Sequence, residues 1–382
     1  MLVKKAYKFR LYPNERQKEL IDKTIGCARF VFNFSLAEQR KKEKLWLQVK
    51  ELVQAGISLF EEYKTGLFSK YQAIPNIPKL KKNYSWLKEV DSTALQSSIE
   101  DLHEGYTRFY KKQGGKPRFK SKKNPVQSFT SKRVSNNIEV IENRSRLPKL
   151  GSVKFANSRE VVGDIKRVTV RKAPSGRYYI SVLTDTEVVQ LPKTGNTVGI
   201  DVGLVRFATL SNGKEYVLPT SPKLEQKLIQ LQKVLSRRKV GSSNWEKQRK
   251  KVARVYEKIK NMRTDYLQKF STMIIKNHDN IGVEDLKVSK MVKGRNFSKE
   301  IGKRAWYSFR VMLEYKALWY GKKVIAVNPH CTSQTCSKCE HVSKENRKSQ
   351  SEFECVSCGY KGNADVNAAL NIRDLVLVEM GC

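Results

Sequence analysis

Asp201 and Glu284 each stand inside an apolar run, VGIDVG and IGVEDL, where an ionised carboxylate is costly to bury without compensation. Asp365 opens ADVNAALNIRDLVL, which has the spacing of a helix. Three carboxylates on separate elements are what a two-metal nuclease needs. Two Mg²⁺ ions about 4 Å apart activate a water and stabilise the leaving 3′ oxygen of a phosphodiester. Asp suits a strand position where ions crowd the backbone, and Glu, one methylene longer, reaches in from a neighbouring strand end. Each acid also has an ordinary reading: Asp201 starts a turn at Gly203, Glu284 or Asp285 caps a helix, and Asp365 is an acid favoured near a helix N-terminus. The joint placement, in a strongly basic chain, favours the metal site.

Cys336, Cys339, Cys355 and Cys358 form two C-x-x-C pairs separated by 15 residues. Each pair makes a knuckle that offers two thiolates to one tetrahedral ion, so the spacing predicts one structural Zn²⁺. Gly359 suits the turn after the second pair. Two matched pairs disfavour a dithiol redox site, and four cysteines leave no open position for a catalytic zinc. An iron–sulfur cluster shares the spacing. His330, Cys331 and His341 are near enough in sequence to be drawn in. Seven cysteines are too few for a disulfide scaffold in 382 residues. Cys27 reads as a small buried hydrophobe, and Cys382 has no assigned role.

The elements that must position these groups follow from periodicity. Residues 2–11 alternate Tyr7, Phe9 and Leu11 with Lys8 and Arg10, a half-buried strand that Pro13 stops. Asn14 with Gln17 predicts a helix N-cap, followed by Leu20, Ile21, Ile25, Ala28, Val31 and Phe32 at helical spacing. Three or four helices run to about residue 113, broken at Pro75, Pro78 and the turn around Tyr84 and Trp86, with Ser92 capping the last. Beyond GGKPRFKSKKNP come short strands at 138–141, 168–170 and 178–182. After a linker at 192–196, TVGIDVG is a strand, and VRFATL pairs with KEYVL across Ser211, Asn212 and Gly213. Two helices follow, at about 224–235 and 245–278, and then the strand 281–286. A basic loop, a helix at 306–319, the strand 324–329, the cysteine insert and a last helix complete the chain. No repeat at 20–50 residues is present.

The charge is 75 Lys+Arg against 37 Asp+Glu, a net +38, with 39% hydrophobic residues, enough for packed cores. The cations recur along the whole chain: residues 111–180 hold 19 Lys+Arg and four acids, and residues 221–263 hold 14 and three. That distribution points to nucleic acid rather than a lipid surface, where one amphipathic helix or tail would carry the charge. No apolar run suits a membrane span or a signal peptide, and the expected location is cytoplasmic, on the nucleoid when bound to DNA. Tyr7, Phe9, Phe30 and Phe32 read as core rather than base-stacking platforms.

GIDVGLVRFATLSNG, IGVEDLKVSKM, TSQTCSKC, CGYKGNADVNAALNI and, upstream, GGKPRFKSKKNPVQSF resemble, in order and spacing, the TnpB (OrfB) family of transposon-encoded proteins, relatives of type V CRISPR effectors. The resemblance covers essentially the full length. It implies an RNA-guided DNA endonuclease of α+β multidomain build. An RNase H-like, RuvC-like nuclease domain would span 193–330 and 361–382, with a zinc ribbon inserted at 331–360. A wedge-like β-barrel domain would take 1–12 and 114–192, interrupted by a helical recognition domain at 13–113. By motif, Asp201, Glu284 and Asp365 are the catalytic acids holding two Mg²⁺ ions. The partners are a guide RNA from the transposon end and double-stranded target DNA, cut beside a short flanking motif. Lys116, Arg118, Phe119, Lys120, Lys122 and Lys123 are candidates for nucleic-acid backbone contacts. Glu340 stands where the family usually has Gly, and Cys331 where an aromatic is expected. The alternatives are an RNA-guided repressor that binds without cutting, a transposase or transposase-associated accessory protein, and a junction resolvase; the filled acid triad counts against the first.

Overall fold

A computed structural model describes residues 1–54, 68–124, 127–286 and 305–381. Pro125, the basic loop at 287–304 and Cys382 lie outside the described residues. The chain divides into two units, Leu2–Thr186 and Met1 with Glu187–Cys382.

In the first unit, β1 (Leu2–Tyr12) precedes the helices α1 (Glu15–Gln54), α2 (Lys70–Ala73), α3 (Ile77–Asn83) and α4 (Ser92–Tyr110). Six more strands follow: β2 (Gln127–Lys132), β3 (Glu139–Ile141), β4 (Arg144–Leu147), β5 (Gly151–Phe155), β6 (Asp164–Lys172) and β7 (Tyr178–Glu187). They form a seven-stranded sheet in the order β2-β6-β7-β1-β5-β4-β3, so β1 lies between strands that come after the helices. Its alternation works as the period demands: Tyr7, Phe9 and Leu11 are buried with Phe155, Val168, Val170, Ile180 and Val182. A second core joins α1 and α4 through Val31, Phe32, Leu36, Leu95, Ile99, Leu102 and Tyr106, and Cys27 is buried there. Asn14 and Gln17 cap α1 reciprocally, each accepting from the other's backbone N–H. At α4 the cap is Asp91 rather than Ser92; its carboxylate accepts from both the backbone N–H and the hydroxyl of Thr93. The polar strands β2, β4 and β5 were not expected, because their few apolar residues alternate over too short a span to stand out.

The second unit is built on β8 (Thr197–Asp201), β9 (Ala208–Leu210), β10 (Glu215–Tyr216), β11 (Asn280–Glu284) and β12 (Lys323–Val327), in the order β10-β9-β8-β11-β12. β8, β11 and β12 are parallel, and β9 runs antiparallel to both β8 and β10. The β9–β10 turn needs its glycine, since Gly213 has φ +82. Between the strands lie α5 (Pro222–Ser236), α6 (Ser243–Asn277) and α7 (Trp306–Tyr320). Val198, Ile200, Ile281 and Val283 pack with Leu267, Phe270 and Ile274 of α6 and with Phe309 and Leu313 of α7. The helix α8 (Ala364–Glu379) packs on β8, β9, β11 and β12, after a small hairpin of β13 (Glu352–Glu354) and β14 (Lys361–Asn363). Among the described residues no helix is long and apolar enough to cross a membrane.

Candidate active site and metal centre

Asp201 is the last residue of β8 and Glu284 the last of β11, and these strands are parallel neighbours registered through Ile200 and Val283. Both acids therefore leave the same end of the sheet. Two residues back on each strand, on the same face, stand Gly199 and Gly282, which are themselves a registered pair. A Cβ at Gly199 would meet the Ala369 carbonyl oxygen at 2.0 Å and the Arg373 nitrogen at 2.5 Å. At Gly282 it would meet Val376 Cγ2 at 2.7 Å and Ile372 Cγ2 at 2.9 Å. The glycine pair lets α8 lie directly on the strands that carry the acids. Asp365, in the first turn of α8, is brought to the site from there; Asn363 caps the helix by accepting from the backbone N–H of Asp365 and Val366. Sequence reasoning missed these glycines, although Gly-x-Asp and Gly-x-Glu in two strand interiors is a readable sign of close backbone approach.

The three carboxylates are electrostatically one cluster. Burial, then the charges of Glu284 and Asp365, push the carboxyl of Asp201 up to about 7, against the pull of Arg347 and the Val202 N–H. Burial also raises Glu284, against Thr332 and Arg347, and raises Asp365, against Arg347. Arg347, from the cysteine insert, donates Nη2 to Asp365 Oδ1 at 3.4 Å, and Thr332 donates its hydroxyl to Glu284 Oε1 at 2.6 Å. Neither residue was singled out from the sequence, because both arrive through tertiary contacts that no local spacing announces. Asp285 pairs with Arg310 of α7. Partly buried acids that are all raised, opposed by Arg347 and at Asp365 by Arg206 as well, make a site suited to divalent cations.

The cysteines form a closed group. Cys336 and Cys358 sulfurs are 3.7 Å apart and those of Cys339 and Cys355 are 3.5 Å apart. A tetrahedral zinc with Zn–S bonds of about 2.3 Å separates its sulfurs by about 3.8 Å, so the four thiols fit a structural zinc site. Among the described residues this is the group of metal-ligating side chains whose ligand atoms all lie within 4.8 Å of one another. His330, Cys331 and His341 are outside it, and the three carboxylates stand wider. The turns after the two pairs are alike: Gly359 has φ +71 and Glu340 φ +60, so Glu340 adopts the left-handed conformation that favours glycine.

In the first unit, the segment 116–123 is tied to its helices. Lys116 pairs with Glu43 at 2.6 Å, Lys120 pairs with Asp101 at 3.3 Å, and Asn33 exchanges two hydrogen bonds with the Lys120 backbone. Lys120 also stands over the Phe32 ring and Arg40 over Phe119. Arg118, Lys122 and Lys123 are exposed.

Family models match three stretches: the OrfB_IS605 "Probable transposase" over residues 179–295, the "Cas12f1-like, TNB domain" over 306–372, and a "Helix-turn-helix domain" of OrfB_IS605 over 1–44. The four cysteines fall in the second of these. "Putative RNA-guided DNA endonuclease InsQ" of Escherichia coli (strain K12) is 38% identical, over 96% of this chain and 91% of its own. A "Putative RNA-guided DNA endonuclease" of Streptomyces pristinaespiralis is 30% identical, over 100% and 91%. The fold resembles the protein in a structure titled "Cryo-EM structure of the Cas12f1-sgRNA-target DNA complex", with a TM-score of 0.57 at 14% identity, covering 97% of this chain and 99% of that one. The chain thus has a mixed α+β multidomain fold like that of Cas12f1.

Proposed function

Because the chain belongs to the TnpB (OrfB) family of IS605 transposon proteins, whose relatives carry the name of RNA-guided DNA endonucleases, we propose that it cuts target DNA beside a short flanking motif under the direction of a guide RNA. The second unit is then the RNase H-like, RuvC-like nuclease. The observation that carries this reading is the sheet order β10-β9-β8-β11-β12 with Asp201 and Glu284 at adjacent parallel strand ends and α8 seated on the glycine pair behind them. Asp201, Glu284 and Asp365 would hold two Mg²⁺ ions, which when bound supply an activated water and charge stabilisation at the leaving 3′ oxygen. Asp201, whose carboxyl is raised by burial and by its acidic neighbours, would have to be ionised to serve as a ligand. Arg347 balances the acids and, once released from Asp365, is a cation beside the place a phosphodiester must occupy. The four cysteines would hold one Zn²⁺ that fixes the insert from which Arg347 comes. The first unit, with the exposed cations Arg118, Lys122 and Lys123, supplies backbone contacts to guide RNA and heteroduplex.

The test is the protein purified with RNA transcribed from its transposon end, given a plasmid carrying the matching sequence beside a randomised flank. Cutting in Mg²⁺ that Asp201→Ala abolishes while binding persists is the expected result. Binding with no cutting at any flank would favour the repressor instead.

A further inference from the structure

Thr332 lies in the turn that leads from β12 into the cysteine insert, and it is 4% exposed. Its hydroxyl has one proton to give. Oγ1 stands 2.6 Å from Glu284 Oε1 and 3.3 Å from the Pro329 carbonyl, so the short bond to the carboxylate takes the proton. The backbone that carries this hydroxyl is held from a third direction. Asn371 of α8 gives its amide Nδ2 to the carbonyls of Thr332 and Thr335, at 2.8 and 2.7 Å. One turn earlier, Asn367 gives Nδ2 to the same Thr335 carbonyl at 2.7 Å and accepts from the Ser337 N–H at 3.0 Å.

Asparagine is a poor residue for a buried helix face, where a small apolar side chain would pack without needing partners. Two of them in successive turns of α8, 0% and 9% exposed, are accounted for by the backbone of the turn they grip. The same helix carries Asp365 in its first turn. A continuous set of hydrogen bonds therefore runs from the helix of one catalytic acid, through Thr332, to the carboxylate of another.

We propose that Thr332 is a positioning residue for the nuclease reaction: oriented by Asn371 and Asn367, it holds Oε1 of Glu284 and so fixes how that carboxylate would face a metal ion. The insert then does more than bind zinc, because its first turn aims an acid of the nuclease. This rests on the nuclease reading above. A hydroxyl that merely completed the turn would have needed only the Pro329 carbonyl.

The test compares Thr332→Val, which keeps the shape and removes the hydroxyl, with Thr332→Ser, which keeps the hydroxyl. The full chain with its RNA is used, and Asn371→Leu is the second variant. Removal of an outer-shell partner of this kind costs about 10- to 100-fold. Thr332→Val should lower the single-turnover cutting rate by that factor and weaken Mn²⁺ binding, read by paramagnetic resonance, by about tenfold. Target-DNA affinity and one zinc per chain should be unchanged, and Thr332→Ser should stay within about threefold of the parent. Asn371→Leu should fall in the same direction as Thr332→Val. The proposal is overturned if Thr332→Val cuts and binds Mn²⁺ like the parent, or if the Val and Ser variants lose activity or zinc alike. Should the parent hold RNA and cut nothing, the nuclease reading fails, while the Mn²⁺ titration still decides the role of Thr332.

Discussion

Asp201 carries the largest electrostatic tension in the candidate site. Its carboxyl is raised from 3.8 to about 7 by burial and by the neighbouring acids. For an acid raised in the folded state, the native protein binds more protons than the unfolded chain between those two values. Stability present below about pH 4 is therefore lost as the pH rises towards 7, by something of the order of 4 kcal/mol when the shift is fully expressed. Asp201→Asn removes the charge at nearly constant shape. In magnesium-free buffer at pH 8 it should raise the Tm of the second unit by several degrees, with no difference near pH 4, as differential scanning calorimetry would show. Added Mg²⁺ should stabilise the parent and leave the variant unchanged, because only the parent keeps the full ligand set. Cutting should be lost in the variant at every pH. A group that costs folding stability and is needed for chemistry is the expected mark of an active site.

At the scale of elements, the contact between α8 and the strands makes a graded prediction. A methyl at Gly199 meets backbone, the Ala369 carbonyl at 2.0 Å, whereas at Gly282 it first meets the Cγ2 methyls of Val376 and Ile372 at 2.7 and 2.9 Å, with the Ile372 carbonyl next at 3.1 Å. The overlap with α8 backbone is thus deeper at Gly199 than at Gly282, where the buried methyls need to give by less. Gly199→Ala should therefore cost about 3 kcal/mol or more and abolish cutting by lifting Asp365 away. Gly282→Ala should cost about 1 to 2 kcal/mol and retain part of the activity; denaturant melts beside a cleavage assay would rank them. In the insert the sign reverses. Glu340 holds φ +60, and Glu340→Gly should relieve about 0.5 to 1 kcal/mol, slowing zinc loss to a chelator by about two- to fivefold. The strands that end in Asp201 and Glu284 and the grouping of the cysteine pairs were legible because a lone charge in an apolar run or thiolates at fixed spacing leave a local signature. The capping pair Asn14 and Gln17 was legible for the same reason. Arg347 and Thr332 were not, since each meets its acid across 18 and 48 residues of chain. Nor were β2, β4 and β5, whose pairing rather than composition makes them strands.

For the whole molecule, a net charge of +38 points to a polyanionic partner, and the structure shows which cations are already paired within the protein. Within one short segment the two kinds stand side by side. Lys116 and Lys120, although accessible themselves, are matched by Glu43 and Asp101 and help tie the segment to α1 and α4, while Arg118, Lys122 and Lys123 are exposed. A cation already paired inside the protein displaces few counterions from nucleic acid, and an exposed one displaces about 0.7 to 0.9 per phosphate met. Replacing Arg118, Lys122 and Lys123 together by alanine should therefore flatten the slope of log affinity against log salt by about 2 to 3, with the Tm of the first unit unchanged. Replacing Lys116 and Lys120 should leave that slope nearly as it was and lower the Tm instead, since it leaves Glu43 and Asp101 without their partners. Filter binding of transposon-end RNA across a salt series, beside thermal melts of the same proteins, separates the two groups. Equal slope changes for both sets would mean that nucleic acid breaks the ion pairs on binding, and that Lys116 and Lys120 belong to its surface after all.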